Sequence, residues 1–167
     1  MRATRGFTLV EILIVVVILG ILAAIVIPQF TEASTEARES SLVSDLQSLR
    51  SQIELYKAQH LDVGPAQDGV EATFTAQMLY TSDKLGAMSA PATRVRDTVW
   101  PLGPYMERIP ENPFAADGDP LIRFATAETD LGGTGGAHWS YYPATGQIYA
   151  DDDWDKNKDG TADHAGI

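Results

Sequence analysis

The sequence predicts an α+β protein in which one long N-terminal helix packs on a small C-terminal antiparallel β-sheet. Two observations support this class. Residues 7–60 carry apolar side chains first continuously and then every three or four positions, which is typical of a helix. The last part of the chain carries short runs of aromatic and β-branched residues separated by turn residues, which is typical of strands.

The first half of the predicted helix, residues 7–28, has the composition of a membrane span. Between Phe7 and Ile27, 18 of 21 residues are apolar. A helix of this length rises about 31 Å, which matches the roughly 30 Å hydrocarbon core of a bilayer. A removed secretory signal would be shorter and would end at a small-residue cleavage motif, which the sequence after Ile27 lacks. We therefore expect a lasting membrane anchor.

The charges on either side of the span predict its orientation. Arg2 and Arg5 precede the apolar run, and Glu32, Glu36 and Glu39 follow it. Because basic residues stay on the cytoplasmic side, we expect the N-terminus in the cytoplasm and the bulk of the chain outside it. The whole chain has a net charge of −11, which argues against a nucleic-acid partner held through its phosphates.

Glu11 is the only charged residue inside the apolar run. A charged side chain within a membrane helix costs about 2.5–3.5 kcal/mol, and less near the interface. One interpretation is a carboxylate that reaches the lipid headgroups. The other is a carboxylate with a cation as its partner. Cleavage after Gly6 would create such a cation, the amino group of Phe7, in the same chain or in a neighbouring one.

A specific motif surrounds this glutamate: a basic leader ends at Gly6, Phe-Thr-Leu-Val-Glu occupies residues 7–11, and Pro28 follows the apolar run. The motif resembles the processing signal of type IV pilins and of the pseudopilins of type II secretion. The resemblance implies that residues 1–6 are a leader, and that a prepilin peptidase cuts after Gly6 and N-methylates Phe7. It also assigns Glu11 and Pro28 to filament assembly. Proline is expected to kink or locally melt the helix.

The second half of the helix, residues 29–62, is amphipathic. Its apolar face is too short for a dimeric coiled coil, because fewer than three heptads are sustained. We therefore expect this face to pack against the globular part of the chain, and Gly64 and Pro65 to end the helix. The face consists of Leu42, Leu46, Leu49, Ile53, Tyr56 and His60.

The globular head, residues 63–167, contains three predicted strands, at Leu121–Ala127, His138–Tyr142 and Gln147–Ala150. The last two flank a turn at residues 143–146 and predict a hairpin. The hairpin sequence is similar to that of pseudopilins and related pilin-like proteins, and these resemblances together imply a pilin fold.

Other parts of the head are less regular in sequence. Segments 71–80 and 98–105 suit either short helices or loops. The proline-rich stretch 103–114 resembles the one that precedes the sheet in major, G-type pseudopilins, and we expect it to be a loop fixed against the sheet. The glycine-rich residues 132–136 have no following lysine or helix signal, so a flexible loop is favoured over a phosphate-binding one.

The C-terminal tail has six aspartates in the thirteen residues 151–163. Part of it follows the first nine positions of a calcium-binding loop, in which alternate residues direct oxygen atoms inward. The twelfth position would be Gly166 rather than glutamate, which excludes a standard EF-hand. A solvated acidic tail is the alternative, but the major pseudopilins carry a calcium site in this region, which favours Ca²⁺. The predicted ligands are Asp155, Asn157, Asp159 and Asp163, with Asp151, Asp153 or main-chain carbonyls completing the shell.

The sequence contains no recognisable enzyme motif. The three histidines lack metal-ligand spacing, and no nucleophile elbow, zinc-protease motif or phosphate-binding loop occurs. A membrane-anchored enzyme is therefore the weakest candidate. The resemblance implies instead a structural subunit, first a single-pass inner-membrane protein with a periplasmic head. It would then join a periplasmic helical homopolymer that helps to export proteins. Expected partners are copies of itself, prepilin peptidase, the inner-membrane assembly platform and minor pseudopilins.

Two alternatives within this family stay open. A type IV pilin for adhesion, motility or DNA uptake would share the N-terminal motif, but many such pilins close their C-terminal region with a disulfide, and this chain has no cysteine. A minor subunit at the filament tip often lacks the glutamate found here at position 11. Both comparisons favour a major pseudopilin of type II secretion.

Overall fold

The structure, a computed structural model, describes residues 6–89, 92–133 and 135–153. Helix α1 spans Leu9–Gln59, α2 Glu71–Leu79, strand β1 Ile122–Phe124, a 3-10 helix Glu128–Asp130, β2 Trp139–Tyr142 and β3 Gln147–Ala150. The predicted α+β class is confirmed, with the long N-terminal helix and the small sheet of a pilin fold. Of the two ambiguous segments, the first forms α2 and the second is a loop.

The chain divides into two compact units, Met1–Glu39 and Ser40–Ile167. In the first unit, every large apolar side chain from Leu9 to Ile27 keeps more than half of its surface exposed. The helix is long and apolar enough to cross a membrane, and none of its most apolar stretch is buried within the protein. These side chains therefore need a non-aqueous surrounding that the chain itself does not supply.

Helix α1 continues through Pro28, so the predicted local melting does not occur there. Pro28 has no N–H group and cannot donate to the carbonyl group of Ala24. In the turn that follows, the hydroxyl group of Thr31 donates to the carbonyl oxygen of Ile27 at 3.1 Å, and that of Thr35 to Thr31 at the same distance. Such bonds to the preceding turn accompany helix bending rather than helix termination.

In the second unit, the amphipathic part of α1 forms one wall of the hydrophobic core, as its spacing predicts. All six residues of the predicted face are buried. The five apolar ones share a cluster with Phe74 and Met78 of α2 and with Trp139 and Tyr141 of β2. The indole nitrogen of Trp139 donates to the carbonyl oxygen of Pro110 at 2.8 Å, which fixes the proline-rich loop against the sheet as predicted.

The sheet has the strand order β1-β2-β3 and is mixed. Strands β2 and β3 form the predicted antiparallel hairpin, with Tyr141 opposite Ile148. Strand β1 runs parallel to β2, with Arg123 opposite Ser140, so the prediction of an antiparallel sheet is wrong for β1. The reason is the connection: residues 125–138 are long enough to return the chain to the same end of the sheet, which a parallel pair requires.

Helix α1 ends at Gln59, before the predicted Gly64 and Pro65, because left-handed backbone follows it at Leu61, with a φ of 60°, and at Asp62, with a φ of 65°. The amide of Asp62 donates to the carbonyl oxygen of Lys57 at 2.9 Å and closes the last turn. Glycine is the usual residue at such a position, because an L-amino acid there costs about 1–2 kcal/mol. The side chain of Leu61 is 72% exposed, so little packing offsets this strain.

We expect the Leu61→Gly variant to have a free energy of unfolding roughly 0.5–1 kcal/mol higher than the wild type. Relief of the backbone strain exceeds the extra chain entropy that glycine brings to the unfolded state. Urea unfolding of the full chain in detergent measures the difference. Val63→Gly, at a nearby exposed residue outside the left-handed region, is the control and should lower stability. A destabilised Leu61→Gly variant would show that the leucine packs favourably.

Candidate functional site

Gly6 and Phe7 precede helix α1 and are exposed. Apart from its chain neighbours, no atom of the described residues lies within 4 Å of the position that a Cβ atom on Gly6 would occupy, and the side chain of Phe7 is 83% exposed. A peptide bond in such a segment can enter a protease cleft without unfolding any helix. The bond between these two residues, the predicted cleavage position, is therefore accessible.

Thr8 and Glu11 form a reciprocal hydrogen-bonded cap at the start of α1. The carboxylate oxygen Oε2 of Glu11 accepts hydrogen bonds from the backbone amide and the hydroxyl group of Thr8, each at 2.8 Å. The hydroxyl oxygen of Thr8 in turn accepts from the backbone amide of Glu11 at 3.3 Å. This is a capping box, in which the two side chains satisfy amide groups that the first helical turn leaves unpaired. We call it the Thr8–Glu11 cap.

The Thr8–Glu11 cap gives the carboxylate a partner within its own chain. The position of the Glu11 carboxylate in the first turn is also favourable, because the N-terminal end of a helix dipole attracts negative charge. In the uncut chain the nitrogen of Phe7 is an amide and carries no charge, so the predicted ion pair with Phe7 concerns the processed form alone. The cap therefore stabilises the carboxylate of Glu11 even in the uncut chain, in which Phe7 has no free amino group.

A buried ion pair ties β1 to the residue that follows β3. The guanidinium group of Arg123 donates from Nε to Oδ2 of Asp151 at 2.7 Å and from Nη2 to Oδ1 at 2.9 Å. The side chain of Asp151 is fully buried. Asp130 lies 3.3 Å from Nη1 of the same arginine. The hydrogen bonding of Arg123 to Asp151 is the main cause of a raised Arg123 pKa, with smaller contributions from the charges of both carboxylates.

The next residue, Asp152, is also buried and belongs to a polar network around Asn112. The side-chain amide of Asn112 donates to Oδ2 of Asp152 at 2.5 Å and to the carbonyl oxygen of His138 at 3.1 Å. The backbone amide of Asn112 donates to Nδ1 of His138 at 2.9 Å, so this ring nitrogen acts as an acceptor. These bonds fasten the beginning of the acidic tail to the proline-rich loop.

The structure describes the acidic tail as far as Asp153. Among the described residues, no three His, Cys, Asp or Glu side chains are grouped as a metal site would require. Asp151 directs both carboxylate oxygens at Arg123, whereas Asp153 is exposed. The other predicted calcium ligands, Asp155, Asn157, Asp159 and Asp163, lie outside the described residues.

Comparison with known proteins extends these observations. The model of the prokaryotic N-terminal methylation motif matches residues 1–27. Type II secretion system core protein G of Klebsiella pneumoniae is 32% identical over 117 residues, which cover 70% of this chain and 74% of that protein. The protein of the same name from Dickeya chrysanthemi is also 32% identical over 117 residues, covering 70% of this chain and 67% of its own length.

A third relative, core protein G of Vibrio cholerae, is 30% identical over 117 residues, which cover 70% of each chain. No solved structure matches the chain. The matched motif contains the exposed Gly6–Phe7 bond and the Thr8–Glu11 cap, and the relatives extend the similarity over most of the chain. The chain therefore belongs to the family of type II secretion system core protein G, the major pseudopilin.

Proposed function

We propose that this chain is the main structural subunit of a type II secretion pseudopilus. A prepilin peptidase cuts the precursor between Gly6 and Phe7 and N-methylates Phe7, and the mature subunit polymerises into a periplasmic filament that helps to export proteins. The observation that carries the proposal is the matched methylation motif, placed directly before an apolar helix whose side chains are exposed. The role is structural, and its partners are other copies, the inner-membrane assembly platform and minor pseudopilins.

The exposed apolar side chains of α1 are the physical basis of assembly in this proposal. Between Leu9 and Ile27 they require lipid or other helices around them, because leaving them in water costs about 25 cal/mol per Å² of apolar surface. The bilayer supplies the first surrounding, with the N-terminus cytoplasmic and the head periplasmic. Helices of neighbouring subunits supply the second, so transfer from membrane to filament keeps the same side chains out of water.

Glu11 would then set the register of the helices. The Thr8–Glu11 cap uses oxygen Oε2, and no hydrogen bond to Oε1 is present among the described residues. We propose that Oε1 accepts a hydrogen bond from the new amino group of Phe7 on a neighbouring subunit. A charged pair inside an apolar filament core tolerates only the register in which both charges meet, because an unpaired buried charge is strongly unfavourable.

Valine in place of glycine at position 6 is expected to abolish cleavage. The side chain would fill the open space at Gly6 and block the close approach of the peptidase to the scissile bond. Intact-mass measurement of the membrane fraction should find wild-type chain without residues 1–6 and with one added methyl group, and Gly6→Val chain at its full precursor mass.

The matched control is Gly20→Val, because the Cβ position of Gly20 is also open among the described residues, apart from its chain neighbours and its own helix backbone, but Gly20 lies within the helix. It should be processed like the wild type. Normal processing of Gly6→Val would move the cleavage position elsewhere and remove the basis of the proposal.

We also propose that the acidic tail binds Ca²⁺ through Asp155, Asn157, Asp159 and Asp163. Calcium prefers carboxylate and amide oxygens, and these residues supply them at alternate positions near Gly160. Asp153 is the better candidate for an additional ligand, because Asp151 would first have to release Arg123. The bound ion would neutralise the mutual repulsion of the tail carboxylates.

Removal of calcium with EGTA is expected to lower the Tm of the detergent-solubilised full chain, and added calcium should restore it, because an ion that binds only the folded state stabilises that state. The Asp159→Asn variant should lose most of this response. Asp117→Asn removes the same charge from an exposed loop and should retain it. A Tm that is unchanged by EGTA and by calcium would exclude the site.

A further inference from the structure

Strand β3 lies at one edge of the three-stranded sheet. The amide of Asp151 donates to the carbonyl oxygen of His138 on the β2 side at 3.2 Å, and in an antiparallel pair every second residue bonds to the partner strand. The backbone of Tyr149 therefore faces β2, whereas the backbone groups of Ile148 and Ala150 face away from it. We call these outward-facing amide and carbonyl groups of Ile148 and Ala150 the β3 edge.

An edge of this kind is a template for a further strand. A row of unpaired amide and carbonyl groups can pair with the edge strand of a second copy, so native proteins cover, charge or distort their edges. Beside the β3 edge lies an open groove of about 380 Å³, which is lined by Arg50 and Glu54 of α1 and by residues 145–149. Among the described residues, no further strand or helix fills this groove.

The side chain of Arg50 covers the first half of the β3 edge. Its Nε and Nη2 atoms both donate to the carbonyl oxygen of Ile148, at 3.2 and 3.0 Å. Its guanidinium carbon lies 5.1 Å from the ring centroid of Tyr149. Successive side chains of a strand point to opposite faces, so Ile148 joins the core beneath α1 and Tyr149 points to the other face. The arginine, which starts from α1, therefore passes across the edge.

The second half of the β3 edge is closed by the backbone. The amide of Gly133 donates to the carbonyl oxygen of Ala150 at 3.3 Å. Both outward carbonyl groups thus have a partner that is not a strand, and Ile148 and Ala150 are only 1% and 0% exposed. Of the two contacts, the one from Arg50 is made by a side chain, so a single substitution can remove it.

We propose that Arg50 prevents β3 from pairing with the β3 strand of a second copy. Its guanidinium group occupies the carbonyl oxygen that an incoming strand would need. The side chain also stands where that strand would lie, about 4.8 Å from β3. The inference goes beyond the proposed function, because it concerns a contact that the heads must avoid wherever many copies meet, in a filament or in solution.

Arg50→Ala tests the proposal in the full chain, kept in detergent with micelles in large excess so that the apolar helices stay apart. Sedimentation velocity measures association, and the infrared amide I band measures intermolecular β-sheet. The wild type should stay monomeric, whereas Arg50→Ala should lose most of its monomer to oligomers with additional β-sheet. Arg38→Ala removes the same charge from an exposed position of the same helix and should stay monomeric.

A second substitution separates an open edge from a weakened fold. Gln147→Lys places a charge at an exposed position of β3, and lysine on an edge strand opposes pairing. Added to Arg50→Ala, it should return the monomer to the wild-type level. Thr98→Lys adds the same charge on an exposed loop and should not. Both lysines reduce the net negative charge equally, so a general charge effect would not distinguish the two double variants.

Three results would overturn the proposal: a monomeric Arg50→Ala variant, oligomers without additional β-sheet, or a rescue by Thr98→Lys as complete as that by Gln147→Lys. If Arg50→Ala lowers the Tm, the two double variants still decide, because both carry that loss and only Gln147→Lys protects the edge. None of these results bears on cleavage or on filament formation, so the proposed function is tested separately.

Discussion

Replacement of Glu11 by alanine is expected to leave cleavage after Gly6 intact and to abolish filament assembly. Cleavage requires an accessible bond, which the substitution does not touch. Assembly would place the amino group of Phe7 in an apolar filament core without a carboxylate to pair with it, and breaking a buried pair typically costs about 3–5 kcal/mol. Intact-mass measurement reports cleavage, and sedimentation of sheared filaments reports assembly.

Two further variants separate the charge of Glu11 from its role in the cap. Glutamine is accepted in a capping box, so Glu11→Gln should preserve the helix start but fail to assemble. Thr8→Val removes the hydroxyl group that bonds to Glu11 but keeps the negative charge, so it should assemble, although more weakly. Glu111→Ala, at an exposed residue of the head, is the charge-matched control. Wild-type assembly of Glu11→Ala would contradict the pairing.

The second large effect is expected at the ion pair between Arg123 and Asp151. Arg123→Met would leave a fully buried carboxylate without its cation and should lower the free energy of unfolding by about 3–5 kcal/mol. Typical domains have only about 5–15 kcal/mol of stability, so a large part of it would be lost. Urea unfolding, followed by tryptophan fluorescence to which the buried Trp139 contributes, measures the change.

The double variant Arg123→Met with Asp151→Leu provides the decisive comparison. It removes both charges, so it should recover much of the stability that Arg123→Met alone loses. Arg108→Met, at an exposed arginine, should change stability by less than about 0.5 kcal/mol. A loss below about 1 kcal/mol in Arg123→Met would mean that solvent or another group compensates Asp151 in the variant.

The parts of the fold that sequence predicts are those determined by nearby residues. The buried face of α1 follows from apolar residues three and four positions apart, and all six of its members are buried. The hairpin of β2 and β3 follows from a short turn between two strand-like runs, and the structure adds its register, with Tyr141 opposite Ile148. Helical periodicity and hairpin turns both act within a few residues of sequence.

The contacts that sequence analysis missed join distant residues or depend on a subtle local signal. Asp151 lies 28 positions from Arg123, and Asp152 lies 40 positions from Asn112, so no periodic pattern connects either pair. The parallel pairing of β1 depends in the same way on how its long connection crosses the sheet. Thr8 is different: threonine three residues before glutamate at a helix start is a recognisable capping signal.

The proposed processing step would also change how the membrane potential acts on the N-terminal segment. Moving one elementary charge through a potential of 100 mV involves about 2.3 kcal/mol. The leader carries two arginines, so an uncut helix drawn outward against an inside-negative potential would encounter an electrical barrier of roughly 4.6 kcal/mol from these charges alone.

After the proposed cleavage, the ammonium group of Phe7 and the capped carboxylate of Glu11 would carry equal and opposite charge at the start of the helix. The segment to be withdrawn then has no net charge, and the potential does almost no work on it. The carboxylate would also keep its two hydrogen bonds to Thr8 in the hydrocarbon, where an unsatisfied polar group is costly. Once Phe7 gains its charge, Glu11 would make the first helical turn neutral and so remove the electrical barrier to extraction.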